Sequence, residues 1–527
     1  MQVELYDTTL RDGAGMEGIS LSVADKLKIA QKVDELGVHY IEGGFPGSNP
    51  KDEEFFERAK TLKLHHAKLA AFGSTRRAGG DVEGDANLRA LIDAETPVVT
   101  IVGKASDLHV REVLETTAEE NLAMIADTVR FLKSRGRTVF FDAEHFFDGY
   151  VSDPGYALQC LKAAARAGVD CIALCDTNGG TIRSRLIEAV RAARDAVDVA
   201  LGIHTHNDAG LAVANSLAAV EEGVRHVQGC VNGYGERCGN ADLLSVIANL
   251  KLKMGVDVVT DEQLERLTEV SHYVSEIVNF VPNPFQPYVG ASAFAHKAGL
   301  HADGTLKHES SYQHVTPAAV GNEQRLLISE LSGSRGLLEQ MRAAGVEVEL
   351  SRDDARRVLE VIKQQEARGY QFEGADASFE MLVRRTLPGY TAPFELEDFW
   401  IIERRAERRG SGGREMQAEA MVKVRVGDEV FQTAADGNGP VNALDDAVRK
   451  AVVTTYPSLG AVKLFDYKVR IIDSAAGTGA MVRVLIESSV GDQLASTVGA
   501  STDIIEASWL ALNDALEYWL VKQGEAR

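Results

Sequence analysis

Short apolar runs alternate with amphipathic stretches along the first 250 residues. Eight of these runs have the β-branched, apolar composition of buried strands. They are Val3–Tyr6, Tyr40–Glu42, Lys68–Phe72, Val98–Val102, Thr138–Phe141, Cys171–Leu174, Val199–Ile203 and Val227–Val231. The segments between them repeat apolar residues at helical spacing, as in Val23–Leu36, which follows the N-cap residue type Ser22. Eight strand–helix units predict a parallel sheet closed into a (β/α)8 barrel. An open, doubly wound sheet is the alternative, although no Gly-x-Gly-x-x-Gly follows the first run.

Charged, amide or glycine residues follow nearly every one of these runs. Examples are 7–13 after the first run, 142–145 after the fifth, 204–208 after the seventh and 232–240 after the eighth. The carboxyl ends of barrel strands form one face, where barrel enzymes place their catalytic groups. Any one of these residues could instead cap a helix or form a turn. Their recurrence at the same end of successive strands favours an active-site face.

Two histidines at the end of the seventh run suggest a metal site. His204 and His206 lie at i and i+2, so a strand places them on one face with Cα atoms roughly 6.5–7 Å apart. Such a pair alone is often structural. A divalent ion needs three or four ligands, and Asp12 and Asn240 could add a carboxylate and an amide oxygen. This mixture of nitrogen and oxygen ligands is typical of Zn, Mn, Co or Mg.

Composition narrows the class of protein. The 527 residues are 45% hydrophobic and 25% charged, as in a soluble globular protein with a large core. A net charge of −22 argues against binding to nucleic acid or to anionic membranes. Five cysteines without a disulfide pattern fit the reducing cytoplasm, and Cys171 and Cys175 are predicted to be buried core residues. No signal peptide and no apolar stretch of ~18 residues is found, so no membrane span is expected.

Three domains are predicted: the barrel in residues 1–278, a mainly helical linker in 279–390, and a C-terminal α+β domain in 391–527. Within the last domain, Gly427–Thr433 recurs as Gly491–Thr497, 64 residues later. Each copy lies between strand-like and helix-like segments, which predicts two repeated βββα units. A charged, glycine-rich segment at 404–414 is predicted to be a mobile loop.

Three motifs of the barrel resemble those of the DRE-TIM metallolyases, and in particular of the 2-isopropylmalate, homocitrate and citramalate synthases. The motifs are Asp7–Gly13 (DTTLRDG), His204–Asp208 (HTHND) and Asn232–Asn240 (NGYGERCGN). The resemblance extends over nearly the whole chain, and residues 16–50 are most similar to the long-form citramalate synthases. One position differs, because many relatives have Gln where this chain has Gly15. If that Gln orients the substrate, water or another side chain must do so here.

The resemblance implies an acyltransferase that performs a Claisen-type condensation. Acetyl-CoA, the co-substrate, adds through its methyl carbon to the keto group of an α-keto acid, and CoA is then hydrolysed off. For a citramalate synthase the keto acid is pyruvate. The metal ion, held by Asp12, His204, His206 and Asn240, would polarise the keto acid. Arg11, next to Asp12, is the candidate for a second positive group that stabilises the developing charge.

The resemblance also suggests the remaining site residues. Glu144 matches an acidic residue of the family and is the candidate base for the acetyl methyl proton. Thr177 matches a residue that binds the substrate carboxylate, and Asp142 is expected to help shape the same pocket. His301 and Tyr312 resemble a pair that reaches the active site from the linker, of the same chain or of its partner. His301 would activate the hydrolytic water or share proton abstraction with Glu144, and Tyr312 would donate to an oxygen.

The C-terminal repeat resembles the regulatory domain of isopropylmalate and citramalate synthases. That domain binds a branched-chain end product, which implies a homodimer with isoleucine as the effector, or leucine if the reaction makes isopropylmalate. A dimerisation module without a ligand is the alternative.

Other functions stay open at this point. The barrel could act on 2-ketoisovalerate as an isopropylmalate synthase, or could be a homocitrate synthase. It could also be a lyase or carboxyltransferase, such as a hydroxymethylglutaryl-CoA lyase, with Cys230 or Cys238 as the catalytic thiol. His301, Tyr312 and the C-terminal repeat count against a lyase. A non-catalytic amino-acid sensor is the third possibility, and the presence of every metal-ligand and base candidate argues against it.

Overall fold

The computed structural model describes residues 2–296, 304–305, 307–326, 341, 351–372, 374–407, 414–472, 474–491 and 493–525. The chain forms two compact units. The first consists of Met1–Phe294 with His314–Gln324, and the second of Ala295–Gln313 with Arg325–Arg527. Among the described residues, no helix combines the length and the apolar character needed to cross a bilayer.

The first unit is built around a closed barrel of eight parallel strands. The strands are β1 Glu4–Asp7, β2 Tyr40–Gly44, β3 Lys68–Ser74, β4 Val98–Lys104, β5 Thr138–Glu144, β6 Cys171–Asp176, β7 Ala200–Thr205 and β8 His226–Gly229. Strand β1 pairs with β2 on one side and with β8 on the other, which closes the sheet. The predicted (β/α)8 barrel is thereby confirmed, and Cys171 and Cys175 are buried in β6 as expected.

Helices surround the barrel. They are α1 Val23–Glu35, α2 Pro50–Ala59, α3 Ala86–Asp93, α4 Asp107–Glu112, α5 Ala118–Ser134, α6 Phe146–Ser152, α7 Pro154–Ala167, α8 Arg183–Ala196, α9 Ala212–Glu221, α10 Leu243–Leu252, α11 Asp261–Leu264 and α12 Leu267–Ile277. Helix α1 shows why the sequence forms them. Ser22 accepts a hydrogen bond from the Asp25 backbone, the Asp25 carboxylate accepts one from Ser22, and Ile29 and Val33 bury the apolar face.

Aromatic side chains fill the lower part of the barrel lumen. The rings of Tyr6 and Phe140 lie 5.1 and 5.0 Å from the His226 ring, centroid to centroid. Because alternate residues of a strand share a face, the next inward positions are two residues further along. These are polar: Asp142 follows Phe140, and Gln228 follows His226. An apolar floor therefore supports a polar layer towards the carboxyl ends of the strands.

The second unit contains the predicted repeat. One antiparallel sheet has strands β11 Glu395–Glu407, β12 Arg414–Val426 and β13 Glu429–Gly437. The other has β14 Lys463–Ile471, β15 Val482–Val490 and β16 Gln493–Ser501. A short pair, β9 Ala295–His296 and β10 Arg325–Leu326, forms a third sheet. The helices are α13 Arg352–Ala367, α14 Asp376–Thr386, α15 Pro440–Val452 and α16 Ile504–Lys522.

Each three-stranded sheet is followed by its helix, α15 or α16, so the two βββα units are confirmed. The prediction of a loop at residues 404–414 is wrong at both ends of that range. Strand β11 continues to Glu407 and β12 begins at Arg414, with these two residues paired across the sheet. Residues 408–413 lie outside the described part of the chain.

Candidate active site and metal centre

Three of the predicted ligands converge at the carboxyl end of the barrel. His204 lies near the end of β7, His206 forms an isolated bridge with Asn240, and Asp12 lies in the loop after β1. The His204 Nε2 atom is 3.1 Å from Asp12 Oδ2 and 3.2 Å from His206 Nε2. His206 Nε2 is 3.8 Å from the same carboxylate oxygen. Within the described residues this is the cluster of His, Cys, Asp and Glu side chains close enough to hold a metal ion.

The spacing of these atoms fits a bound cation. Bonds of ~2.1 Å separate neighbouring ligand atoms by about 3.0–3.4 Å, depending on whether the geometry is octahedral or tetrahedral. Two of the three separations, 3.1 and 3.2 Å, lie in that range. A carboxylate oxygen and two ring nitrogens that face one another repel through their lone pairs unless a proton or a cation lies between them. The donor set therefore fits a divalent metal.

Asn240 completes the set of four. Its Nδ2 atom donates to Asp12 Oδ2 at 2.7 Å and lies 3.4 Å from His204 Nε2. Its Oδ1 atom is buried and has no hydrogen-bond partner among the described residues. A half-turn of the amide exchanges the two atoms and directs Oδ1 at the cluster. Gly235 permits this close packing, because a Cβ atom there would lie 2.0 Å from Asn240 Oδ1.

A metal requires deprotonated ligands, and electrostatics favour that state at two of the three clustered side chains. Burial alone would raise the pKa of Asp12, but Arg11 and His204 outweigh it and hold that pKa well below its usual range. Burial lowers the pKa of His206 to about 4, so its imidazole is neutral at physiological pH. Burial acts to lower the pKa of His204, but the Asp12 carboxylate outweighs it and raises that pKa. Asp12 and His206 are therefore in metal-binding forms, whereas a metal ion must displace a proton at His204.

Arg11 is fixed beside the cluster by three contacts. Its Nε atom donates to Glu42 Oε1 at 2.6 Å, and its Nη1 atom lies 3.3 Å from Asp12 Oδ1. The guanidinium carbon lies 3.8 Å from the centre of the Phe72 ring. Glu42 is fully buried and also accepts a hydrogen bond from the Tyr6 hydroxyl at 2.8 Å. These contacts hold a positive charge in one place next to Asp12.

The other predicted barrel residues lie on neighbouring strand ends. Glu144, at the end of β5, forms an ion pair with Lys104 at the end of β4. The Thr177 hydroxyl accepts a hydrogen bond of 2.9 Å from the His145 backbone. Asp142 is buried, and its Oδ1 accepts a hydrogen bond of 2.9 Å from the Gln228 amide.

The linker pair is only partly observed. His301 lies outside the described residues. Tyr312 belongs to the second unit, where its ring is half exposed and lies against Gly304.

Two side chains around the cluster were not predicted from the sequence. Glu42, which anchors Arg11, ends an apolar run before two glycines, and Gln228 lies inside an apolar run. A polar residue within a buried strand is the signal that could have identified both. Glu236 lies beside Gly15, since a Cβ atom on Gly15 would be 3.0 Å from Glu236 Cγ.

The candidate thiols differ in exposure. Cys230 is fully buried, and burial raises the pKa of its thiol well above the ordinary value. Its Sγ atom lies 3.0 Å from the Thr8 hydroxyl. Cys238 is exposed in the loop after β8. A neutral, buried thiol at Cys230 is a poor nucleophile or acid–base group.

Comparison with known proteins gives three family matches along the chain. Residues 2–274 match the HMGL-like family, residues 288–369 the homocitrate synthase post-HMGL domain-like family, and residues 373–520 the LeuA allosteric (dimerisation) domain.

Full-length relatives are also similar. The chain is 50% identical to an (R)-citramalate synthase of Geobacter sulfurreducens, over 99% of this chain and 98% of the relative. It is 48% identical to an (R)-citramalate synthase of Aquifex aeolicus, over 99% of both chains. A 2-isopropylmalate synthase of Methanocaldococcus jannaschii is 31% identical, over 99% of this chain and 95% of the relative.

Proposed function

Because the chain belongs to the HMGL-like family and, within it, to the (R)-citramalate synthases, we propose that it condenses acetyl-CoA with pyruvate and releases CoA to give (R)-citramalate. This proposal rests on the sequence identity of 47–50% to several (R)-citramalate synthases, which extends over nearly the whole chain. The metal-binding geometry of the barrel supports the same chemistry.

The residues of the cluster have separate tasks in this proposal. Asp12, His204, His206 and Asn240 would hold a divalent ion (Zn, Mn, Co or Mg), which when bound would supply Lewis-acid polarisation of the keto acid. Arg11 presents its guanidinium beside Asp12 and stabilises the negative charge that grows on the keto oxygen. The buried Glu42 carboxylate keeps Arg11 in that position, because a guanidinium bonded on one edge cannot turn away.

Proton transfer is assigned to Glu144. Its carboxylate takes a proton from the acetyl methyl group, and the resulting carbon nucleophile adds to the keto carbon. The Lys104 ammonium group orients the carboxylate. The substrate carboxylate binds at Thr177, and Asp142 shapes the layer below. His301 activates the water that hydrolyses the thioester, while Tyr312 donates to an oxygen.

A thiol-release assay with a panel of keto acids tests the reaction. Pyruvate should give the highest kcat/KM, and a chelator should abolish CoA release until a divalent ion is returned. Faster turnover of 2-ketoisovalerate would identify an isopropylmalate synthase instead. Cleavage of an acyl-CoA without condensation would identify a lyase.

Residues 391–527 are proposed to regulate the enzyme as part of a homodimer, with isoleucine, the end product of the pathway that citramalate enters, as the effector. A cavity of about 520 Å³ in the second unit supports this. It is lined by apolar side chains, including Leu396, Phe394 and Trp509, and by the charged Glu395, Arg425 and Glu517. An aliphatic amino acid needs these groups: a cation for its carboxylate, an anion for its ammonium group and apolar walls for its side chain.

Two arginines of the same sheet provide a matched test. Arg425 pairs with Glu397 and lines the cavity, whereas Arg404 pairs with Glu419 elsewhere on the sheet. Arg425→Gln should weaken calorimetric binding of isoleucine at least tenfold, while Arg404→Gln should leave it unchanged. Equal binding of isoleucine by both variants would exclude the cavity as the effector site. Inhibition by leucine but not by isoleucine would contradict the assignment of isoleucine as the effector.

A further inference from the structure

Gln228 links two charged parts of the barrel lumen. It lies on β8, is fully buried, and stands between Asp142 of β5 and His204 of β7. Its Nε2 atom is 2.9 Å from Asp142 Oδ1, and its Oε1 atom is 2.8 Å from His204 Nδ1. The same Gln228 Nε2 atom lies 3.4 Å from His226 Nε2. A continuous hydrogen-bonded chain therefore runs from Asp142 to the metal cluster.

The direction of this chain follows from what each group can donate. Asp142 Oδ1 lies 2.9 Å from the amide of Gln228, and a carboxylate only accepts hydrogen bonds. The amide NH2 of Gln228 must then face Asp142, which turns the amide carbonyl towards His204. A carbonyl accepts, so the His204 Nδ1 atom bears the ring proton. The reversed amide would set a carbonyl against a carboxylate.

One tautomer of His204 results. With the proton on Nδ1, the lone pair of the neutral ring is on Nε2, the atom that lies 3.1 Å from Asp12 Oδ2. His206 differs, since its Nδ1 atom is buried without a hydrogen-bond partner in the part of the chain that the structure describes. Of the two histidines, only His204 has its ring proton position determined by a neighbour.

We propose that Gln228 is a positioning residue of the metal centre: oriented by Asp142, it holds His204 in the tautomer and rotation that present Nε2 as a ligand. This role rests on the metal centre proposed above. In this proposal Asp142 acts on the metal centre through Gln228. Strand β8 contributes no metal ligand itself but helps to position one.

Two replacements of Gln228 separate positioning from packing. Gln228→Met keeps the volume but neither hydrogen bond. Gln228→Glu keeps an acceptor for the His204 ring proton, with one proton shared between the new carboxylate and Asp142. A positioning role predicts that Met is damaging and Glu tolerated, whereas a packing role predicts the reverse, because a buried apolar side chain is cheaper than a second buried carboxylate.

Metal affinity is the readout, measured on metal-free protein by competition for Co²⁺ with a chromophoric chelator, together with the visible absorption of the Co²⁺ complex. Gln228→Met should weaken affinity about 10–100-fold, the usual effect of removing such a partner. Gln228→Glu should stay within about threefold of wild type. Thr100→Val, a buried lumen variant that loses a bond to the Tyr6 hydroxyl, should bind like wild type.

Each outcome has a distinct meaning. Wild-type affinity in a folded Gln228→Met variant would overturn the role of Gln228 while leaving the metal centre intact. Failure of the wild-type protein to bind Co²⁺ would overturn the metal centre itself, and the role of Gln228 with it. If Gln228→Met does not fold, Asp142→Leu decides: a leucine offers no acceptor to the Gln228 amide, so affinity must fall, and unchanged affinity would refute the proposal.

Discussion

Replacing Arg11 with lysine keeps a positive charge but loses its fixed position. The guanidinium donates to Glu42, lies beside Asp12 and stacks on Phe72 at the same time. A lysine ammonium is a single point on a flexible stem and cannot make all three contacts. A hydrogen bond between charged groups contributes about 1.5–3 kcal/mol, so the free energy of unfolding should fall by that amount. Loss of a preorganised positive donor should lower kcat/KM by about 10²–10³-fold.

Arg76 provides the matched control. It is also buried and pairs with two carboxylates, Glu120 at 2.6 Å and Asp127 at 2.8 Å, but it lies outside the cluster. Arg76→Lys should lose similar stability in urea unfolding yet keep kcat/KM within about threefold in the thiol-release assay. The assignment of Arg11 would be refuted if Arg11→Lys kept more than about a fifth of wild-type kcat/KM, or if both variants lost activity equally.

Three further predictions concern single side chains. Glu144→Gln should lower kcat by about 10²–10⁴-fold and stop deuterium exchange into the acetyl-CoA methyl group, while the affinity for Co²⁺ stays unchanged. Deuterium exchange at the wild-type rate would exclude Glu144 as the base. Burial raises the pKa of Asp7 from 3.8 to about 7, so between these values the folded state binds more protons than the unfolded state and stability falls as pH rises. Asp7→Asn should therefore gain stability over wild type between pH 4.5 and pH 8, by up to about 4 kcal/mol in urea unfolding, and parallel pH profiles would contradict this. Cys230→Ser should keep activity within a few-fold, since the thiol is buried and protonated; a loss beyond about 10²-fold would revive the lyase hypothesis.

The barrel was predictable because its strands are apolar and buried on both faces, so hydrophobicity alone marks them. The strand ends were not. The run predicted to end at Phe141 continues as β5 to Glu144. Hydrophobicity stops at Asp142, but the backbone stays in the sheet because Gln228 hydrogen-bonds Asp142 and Lys104 pairs with Glu144. Such partners lie on other strands and are visible only in three dimensions.

The same reason explains what was missed around the cluster. The ligands recur in motifs of unusual composition, whereas Glu42 and Gln228 are single polar residues whose meaning depends on Arg11 and His204. In the second unit, the repeat was evident from its 64-residue shift. Its charged segment was taken for a loop because exposed strands need no apolar alternation when cross-strand ion pairs such as Arg404–Glu419 form on them.

Titration of metal-free protein with Mn²⁺, followed by the rate of CoA release from acetyl-CoA and pyruvate, tests the central claim most directly. If Asp12, His204, His206 and Asn240 hold the ion on which condensation depends, the rate rises from near zero and levels off at one ion per chain, and Asp12→Asn shows no such rise. A full rate before any ion is added, or an unchanged titration of Asp12→Asn, would contradict the account.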